Sequence, residues 1–242
     1  MTSQALAWLV QLARSILRVL LAVAFLVELA HAGPALELAI GTGRLALPLA
    51  ERGVEVHGID ASEAMVARLR SKSGGERIPV TIGDFADVPI EGRYALVYVV
   101  FNTLFALQTQ EAQIRCFRNV AACLADGGVF VVEAFVPDLS RFDRGQRIEA
   151  ERVGLDQVWL GAARHHPVEQ RVESQHVLLS EQGIRFYPVQ IRYAYPSELD
   201  LMARLAGLQL RARFGGWRRE PFTAASAMHV SVYERADPTK PL

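Results

Sequence analysis

Residues 34–60, PALELAIGTGRLALPLAERGVEVHGID, carry the strongest structural signal in the chain. Their pattern predicts a strand, a tight glycine loop, a helix and a second strand, over 35–40, 41–43, 44–52 and 54–59. Asp60 follows at the carboxyl end of the second strand. Glycines let a backbone approach a ligand closely, and a carboxylate at such a strand end can accept hydrogen bonds from ribose hydroxyls. The stretch therefore predicts a nucleoside-cofactor site.

The alternation of strands and helices continues beyond this stretch. Further strands are predicted over 78–82, 94–100 and 128–135, and further helices over 62–71 and 110–124. We expect Asp126-Gly127-Gly128 to end the last of these helices with glycine. This order predicts an α/β fold, a doubly wound, Rossmann-like parallel sheet with helices on both faces.

After Pro137 the pattern changes to alternating polar and apolar residues. Turn signals at His166-Pro167 and Gln182-Gly183 separate strands predicted over 147–153, 156–165, 169–180 and 184–194. A helix from Pro196 to about Ala206 follows, then strands over 208–214 and 227–234. We therefore expect a single domain over 1–242, with an antiparallel β insertion at 138–195.

The N-terminal segment is apolar, but its longest uninterrupted apolar run is Val19–Val27. That run is far shorter than the roughly 20 residues that a membrane span requires. Polar residues recur at helical spacing and place the leucines on the opposite face, at Leu6, Leu9, Leu17 and Leu20. We expect residues 1–32 to form an amphipathic helical lid rather than a span, and its apolar face could be a homodimer contact.

Composition argues against several partners. Acidic and basic residues number 26 each, so no overall field attracts nucleic acid or an anionic membrane. The two cysteines, Cys116 and Cys123, lie seven apart on one predicted helix face, which is typical of core packing. No cysteine–histidine cluster with metal-ligand spacing occurs. Few cysteines and no disulfide pattern favour a reducing, cytoplasmic setting.

The glycine loop by itself fits two cofactor classes. Gly41-x-Gly43-x-x-Ala46, with Asp60 about 20 residues later, matches the dinucleotide fingerprint, so an NAD(P)-dependent oxidoreductase stays open. Three other features favour a different cofactor: Glu37 inside the first strand, Gly83-Asp84-Phe85 after the third, and Phe101-Asn102-Thr103-Leu104 after the fourth. A carboxylate at position 37 can approach a cationic head group.

With these residues the chain resembles the class I S-adenosylmethionine-dependent methyltransferases, closely over 34–136 and more loosely over 195–235. The resemblance implies that the loop from Glu37 to Gly43 holds the methionine part of the cofactor, that Asp60 binds the ribose and that Asp84-Phe85 contacts the adenine. The full set of cofactor residues that it implies is Glu37, Ala39, Gly41, Thr42, Gly43, Asp60, Ala61, Met65, Gly83, Asp84, Phe85, Phe101 and Asn102.

One position departs from the family pattern, because the first glycine of the family's loop is Ala39 here. If this position requires a positive φ or close cofactor approach, the methyl group weakens binding; in the β region alanine is tolerated. A non-catalytic protein that binds a nucleoside cofactor is therefore a further alternative.

The resemblance implies methyl transfer to a small-molecule oxygen or nitrogen acceptor, and we expect the insertion at 138–195 to cap the acceptor site. A base is needed only where the acceptor is a protonated amine, a hydroxyl or an acidic carbon, so no catalytic residue is fixed by the motifs. Glu133, at the end of the fifth strand, points toward the expected acceptor cleft. Candidate bases lie in or beside the insertion: His165, His166, His176 and Tyr193.

Overall fold

The computed structural model of the chain describes residues 3–31, 33–87 and 91–237. These residues form a seven-stranded central sheet, a four-stranded second sheet and five α-helices. The helices are α1 (Ser3–Ala30), α2 (Ala46–Ala50), α3 (Glu63–Arg70), α4 (Gln110–Cys123) and α5 (Pro196–Leu205). The strands are β1 (Ala35–Leu38), β2 (Val56–Asp60), β3 (Val80–Ile82), β4 (Tyr94–Val99), β5 (Leu124–Phe135), β6 (Gln146–Val153), β7 (Gln157–His166), β8 (Arg171–Ser180), β9 (Gly183–Arg192), β10 (Leu208–Phe214) and β11 (Met228–Arg235).

The central sheet has the strand order β10-β11-β5-β4-β1-β2-β3. Strand β1 lies parallel to both β2 and β4, and β5 lies parallel to β4. Strand β11 is antiparallel to β5, as is β10 to β11. The predicted doubly wound α/β fold is confirmed. Because the carboxyl ends of parallel strands meet at one edge, the loops that leave β1, β2, β4 and β5 converge there.

Helices cover both faces of the central sheet. Helices α4 and α5 pack against one face, and α1 and α2 against the other. Consecutive strand residues alternate between the two cores: Leu96 belongs to the core beside α1, and Val97 to the core beside α4. Cys116 and Cys123 are free thiols, buried in the core beside α4.

Local sequence signals place several element ends. The Ser62 hydroxyl accepts a hydrogen bond from the Met65 N–H and caps α3, and Thr109 caps α4 in the same way at Ala112. Gly207, at φ +76°, follows α5 in the left-handed conformation that commonly ends a helix. These ends lie within two residues of those that the sequence predicts.

The second sheet, β6-β7-β8-β9, is antiparallel throughout and lies in the chain between β5 and α5. The predicted turns at His166-Pro167 and Gln182-Gly183 join β7 to β8 and β8 to β9. One face of this sheet is directed toward the carboxyl edge of the central sheet, since Tyr193, just after β9, lines a cavity together with Phe101, just after β4.

Two predictions about α2 and α4 are wrong. The helix predicted over 44–52 is a five-residue helix, α2, because the chain leaves Gly43 through a turn. Helix α4 ends at Cys123, and Asp126-Gly127-Gly128 lies inside β5 instead of ending the helix. The pairing of β5 with β4 shifts register there, between Tyr94 and Leu96. Gly127, at φ +73°, lies at this irregularity of the strand and adopts the left-handed conformation that it requires.

The amphipathic prediction for α1 is also wrong over its middle turns. Leu17 and Leu20, expected on the packed face, are 44% and 48% exposed. Arg18, expected on the polar face, instead forms an ion pair with Glu133, whose side chain is fully buried. A buried carboxylate needs a compensating cation, and this requirement outweighs the burial of two leucines. Among the residues that the structure describes, no helix is long and apolar enough to cross a membrane.

The buried arginine Arg192 joins the second sheet to the helices beneath it. It is 5% exposed, and its guanidinium donates to the Gln113 side chain at 2.7 Å, to Gln170 at 3.0 Å and to Glu198 at 2.6 Å. Gln113 lies on α4 and Glu198 on α5. One side chain therefore holds the end of β9 against two helices.

We expect Arg192→Met to lower the free energy of unfolding by about 1–3 kcal/mol, because it leaves the buried Gln113 oxygen and the largely enclosed Glu198 carboxylate without the guanidinium donor. The measurement is urea denaturation followed by circular dichroism. Arg211→Met is the matched control, since Arg211 is half-exposed and 3.8 Å from its acidic partner Glu234. The control is expected to change stability by no more than about 0.5 kcal/mol. Equal losses in the two variants would contradict the assigned role of Arg192.

Candidate active site

The glycine loop between β1 and α2 has a left-handed backbone at three positions. Gly41 has φ +58° and Gly43 φ +76°, and Ala39 has φ +56°. The sequence left the conformation of residue 39 open, and the structure places it in the region that disfavours alanine. Ala39, which stands where the family has its first glycine, is therefore in a strained backbone conformation.

The two glycines of the loop are required for different reasons. A Cβ at Gly43 would lie 3.2 Å from the Leu47 side chain and closer still to Leu69, so this glycine allows α2 and α3 to pack against the loop. A Cβ at Gly41 would meet only the end of the Met65 side chain, at 3.4 Å. The backbone at Gly41 is therefore the part of the loop that a ligand can approach.

Asp60 fastens this loop to β2. Its Oδ2 accepts from the Gly41 N–H at 2.6 Å and its Oδ1 from the Ser62 N–H at 2.8 Å. The residue is 8% exposed, at the carboxyl end of β2 where the sequence predicts a ribose contact. Thr42, partly buried, and Ala61, exposed, flank the two ends of this contact.

The loop after β3 separates the predicted adenine residues. Asp84 is exposed, and its Oδ1 accepts from the Ala86 N–H at 2.8 Å. Phe85 is only 7% exposed and belongs to the core beside α4. Gly83 donates its N–H to the Asp60 carbonyl at 3.0 Å. Asp84 is thus open to a ligand, whereas the Phe85 ring packs against the protein.

Glu37 lies beneath the loop and is 4% exposed. Its Oε2 accepts a hydrogen bond from the Tyr98 hydroxyl at 3.0 Å. Burial raises the pKa of the Glu37 carboxyl from its ordinary value of 4.5 to about 8, against the opposing effect of the Tyr98 hydrogen bond. The acid that the sequence places near a cationic head group is therefore a buried group with an altered titration.

Glu133 organises the loop after β4. Its Oε2 accepts from the Phe101 N–H at 2.6 Å, while its Oε1 pairs with Arg18. The guanidinium groups of Arg18 and Arg44 lie 5.3 and 4.7 Å from the centre of the Phe101 ring. The sequence marks Glu133 as an acceptor-binding candidate, but the structure shows its carboxylate engaged by α1 and the β4 loop.

The β4 loop is held from β5 as well. Phe101 and Asn102 have φ +56° and +63°, a conformation that non-glycine residues rarely adopt in succession. The Asn102 side-chain oxygen accepts from the Phe135 N–H at 2.7 Å. The sequence predicts Phe101 and Asn102 as site residues, but it does not predict Arg18 or Arg44 beside them. Charged residues at helical spacing usually lie on a solvated helix face.

A cavity of about 1020 Å³ opens between this edge and the second sheet. Its walls include Phe101, Asn102 and Tyr193, and also Glu151 and His176 from the inner face of the second sheet. The Tyr193 hydroxyl lies 2.8 Å from the His165 Nε2, so two sequence-predicted candidates form one pair.

The remaining candidate, His166, follows His165 on β7 and has its side chain on the opposite, outer face of that strand, 3.3 Å from Glu173. The structure therefore places His165 beside Tyr193, which lines the cavity, and His166 on the other face of the strand.

In the wild type, we expect the free energy of unfolding to fall as the Glu37 carboxyl ionises. The Glu37→Gln variant has no carboxyl at this position and should lack this pH dependence. Because the folded-state pKa of Glu37 lies above the unfolded value, its contribution is fully present below pH 4.5 and is lost as the pH rises to about 8. The wild type should lose stability relative to the variant across this window, by about 1.4 kcal/mol for each unit of difference in pKa. Denaturant titrations from pH 4 to pH 9 measure this, with exposed Glu181→Gln as control. Parallel curves for wild type and Glu37→Gln would contradict the altered pKa.

Ala39→Gly tests the strain in the loop. The substitution removes the methyl group from a left-handed position, where an L-residue costs about 1–2 kcal/mol. Ala67→Gly, in the middle of α3 where φ is helical, is the control and carries only the usual glycine cost. We expect Ala39→Gly to be the more stable of the two variants by about 1–2 kcal/mol in thermal and denaturant unfolding. Equal destabilisation would show that residue 39 is not strained.

The exposed backbone at Gly41, the Asp60 carboxylate beside it and the open Asp84 carboxylate together fit a nucleoside cofactor at the carboxyl edge of the sheet. Comparisons with known proteins agree with this geometry. The family described as "Methyltransferase domain" matches residues 35–128. The chain is 29% identical over 201 residues to the cypemycin N-terminal methyltransferase of a Streptomyces species, which covers 83% of this chain and 82% of that protein.

Solved structures extend the likeness to nearly the whole chain. The CcbJ methyltransferase of Streptomyces caelestis is 43% identical, covering 90% of this chain and 89% of that chain, with a TM-score of 0.85. An S-adenosylmethionine-dependent methyltransferase of Clostridium acetobutylicum shares the fold at 12% identity, with a TM-score of 0.80. The chain therefore belongs to the S-adenosylmethionine-dependent methyltransferases.

Proposed function

We propose that this methyltransferase transfers the methyl group of S-adenosylmethionine to an amine nitrogen of a small molecule bound in the cavity beneath the second sheet. The observation that carries the proposal is the cavity itself, whose walls join the β4 loop of the cofactor edge to the inner face of that sheet. In this role residues 138–195 form an acceptor cap, and 1–32 form a lid that Arg18 holds onto Glu133.

The cofactor residues take the following roles in the proposal. The backbone around Gly41 receives the methionine part, the Asp60 carboxylate the ribose hydroxyls, and Asp84 the adenine. When bound, S-adenosylmethionine supplies a methyl group on a cationic sulfur, which is an electrophile without further activation. The chain then has to position the acceptor nitrogen, exclude water and remove a proton.

Nitrogen is favoured over oxygen by the name of one relative. The cypemycin N-terminal methyltransferase, which aligns with 83% of this chain, is named for an amine acceptor. A small-molecule acceptor also suits a cavity of about 1020 Å³ between the second sheet and the loops at the carboxyl edge of the central sheet. Balanced charge gives no support to a nucleic-acid partner, and the reduced cysteines are consistent with a cytoplasmic enzyme. The half-exposed Leu17 and Leu20 of α1 leave a homodimer contact open to test by light scattering.

Thermal shift measurements test the cofactor assignment. We expect S-adenosylhomocysteine to raise the melting temperature of the wild type, and NAD(H) to leave it unchanged. Asp60→Ala should weaken S-adenosylhomocysteine binding at least about 10-fold, the loss expected for hydrogen bonds to a charged group. Asp87→Ala is the control, because Asp87 lies in the same region but pairs with Arg115 at the surface. No shift with S-adenosylhomocysteine, or a shift with NAD(H) alone, would contradict the cofactor assignment.

Transfer of a ¹³C-labelled methyl group tests the acceptor class. Glucosamine and dialanine supply free amines, while glucose and N-acetyldialanine lack them. We expect labelled methyl on nitrogen with the first pair and no product with the second, as read from the ¹³C chemical shift of the product. Methyl on a hydroxyl oxygen would replace the amine assignment with an oxygen acceptor, and bound cofactor without turnover of any acceptor would favour a non-catalytic binding protein.

A further inference from the structure

Three neighbouring strands of the second sheet carry one continuous contact. Glu151 of β6 reaches across Gly161 of β7 to His176 of β8, and Gly161 is the direct cross-strand partner of His176. The His176 Nδ1 lies 2.7 Å from the Glu151 Oε1 and 2.9 Å from its Oε2. A carboxylate thus binds one ring nitrogen of a histidine on the cavity side of the sheet.

Two features of the backbone make this contact possible. Strand β6 carries a bulge between Ala150 and Arg152, which pair with Leu160 and Trp159, so Glu151 is the extra residue. A bulge redirects a side chain, and bulges are frequent next to active sites.

The second feature is Gly161, which is buried. A Cβ at this position would lie 3.0 Å from the Glu151 Cδ and closer still to its Oε1, so any larger residue would displace the carboxylate. Gly161 has no left-handed φ that would explain a glycine there. The open space over β7 is therefore the reason for the glycine, and the Glu151 side chain fills it.

The other ring nitrogen of His176 is available to a ligand. Glu151 and His176 both line the cavity that Phe101 and Asn102 bound at the cofactor edge, and the His176 side chain is 38% exposed. When Nδ1 donates its proton to a carboxylate, the neutral ring carries its lone pair on Nε2. Among the described residues, Nε2 has no hydrogen-bond partner. By contrast, the His165 Nε2 is already bound to the Tyr193 hydroxyl.

We propose that His176 is the general base of the methyl transfer and that Glu151 is the residue that positions it. This inference rests on the proposed function and adds a residue to it. The His176 Nε2 takes one proton from an ammonium group, R–NH₃⁺, and leaves R–NH₂ with a free electron pair. That pair forms the new N–CH₃ bond as the methyl–sulfur bond breaks, and the products are neutral S-adenosylhomocysteine and R–NH₂CH₃⁺. The imidazolium returns its proton to solvent.

Of the charged groups around the Glu151–His176 pair, Glu151 is the acid that faces the imidazole ring. Arg141 and Arg147 lie at the same wall of the cavity, but both form ion pairs with Glu149. On the other side, the direct partner of His176 on β9 is Tyr187, whose ring stacks on Trp159 at 5.4 Å. Asp138, at the far wall, accepts from the Ser140 N–H and hydroxyl.

The first test needs neither cofactor nor acceptor. Imidazole ¹⁵N spectra of the free protein report which ring nitrogen carries the proton. We expect the neutral His176 ring of the wild type to carry it on Nδ1, and Glu151→Ala to move it to Nε2, the more common form of an isolated ring. Gly161→Ala should have the same effect by displacing the carboxylate. Glu173→Ala removes the other glutamate that pairs with a histidine on this sheet, on its outer face, and should leave the His176 signals unchanged.

The second test is kinetic and uses whichever of glucosamine or dialanine is methylated. We expect His176→Ala to lower kcat about 10²–10⁴-fold, as loss of a general base does. Affinity for S-adenosylhomocysteine should remain that of the wild type. Glu151→Ala should lower kcat with KM nearly unchanged, and Glu173→Ala should match the wild type.

An Nε2-protonated ring in the wild type, spectra that do not respond to Glu151→Ala, or full kcat in His176→Ala would each overturn the inference. Failure of the proposed function looks different, because it would appear as absent S-adenosylhomocysteine binding or as methylation of oxygen in the wild type. If Gly161→Ala does not fold, Glu151→Ala alone decides the tautomer test.

Discussion

A fully buried carboxylate, that of Glu133, holds the functional edge of the central sheet together. It sits near the end of β5, and it binds the Phe101 N–H on one side and Arg18 on the other. Neither contact is optional, because an ionised carboxylate without partners inside a protein is strongly unfavourable. The position of α1 over the sheet and the path of the chain after β4 therefore depend on the same group. A residue that would suit substrate binding by its place in the fold is used to build the site.

The loops at this edge adopt backbone conformations that are unfavourable by themselves. Ala39, Phe101 and Asn102 all have positive φ without being glycine. Such residues persist where surrounding contacts fix them, and they are concentrated at functional sites. Here Asp60 fastens the first loop at Gly41, and Asn102 fastens the second to β5. Hydrogen bonds from neighbouring strands thus hold the strained turns of this edge in place.

The sequence predicts the central architecture because its signals are local. Runs of buried residues such as β4, the glycine loop and Asp60 at a strand end all follow from short-range patterns. What it cannot predict is which polar residue pairs with a buried group. Arg18 looks like part of a solvated helix face, and only the three-dimensional position of Glu133 explains its direction. The register irregularities are hidden for the same reason, since a bulge at Glu151 or at Gly127 depends on the partner strand. The sequence singles out Glu37 as a candidate, but its burial and raised pKa depend on packing that short-range patterns do not contain, including the contact with Tyr98.

The carboxyl edge of the central sheet and the cavity wall opposite it are built from different parts of the chain. The first comes from parallel strands and their loops, the second from an antiparallel sheet inserted between β5 and α5. Arg192 secures that sheet from below through α4 and α5, and not through the glycine loop. Ser174 and Val189 line the cavity, whereas the Asp60 carboxylate contacts the N–H groups of Gly41 and Ser62, so these two wall residues can change without altering those contacts. In the proposed function, this separation would let one methyl-donor site serve different acceptors, with the inner face of the second sheet setting acceptor choice.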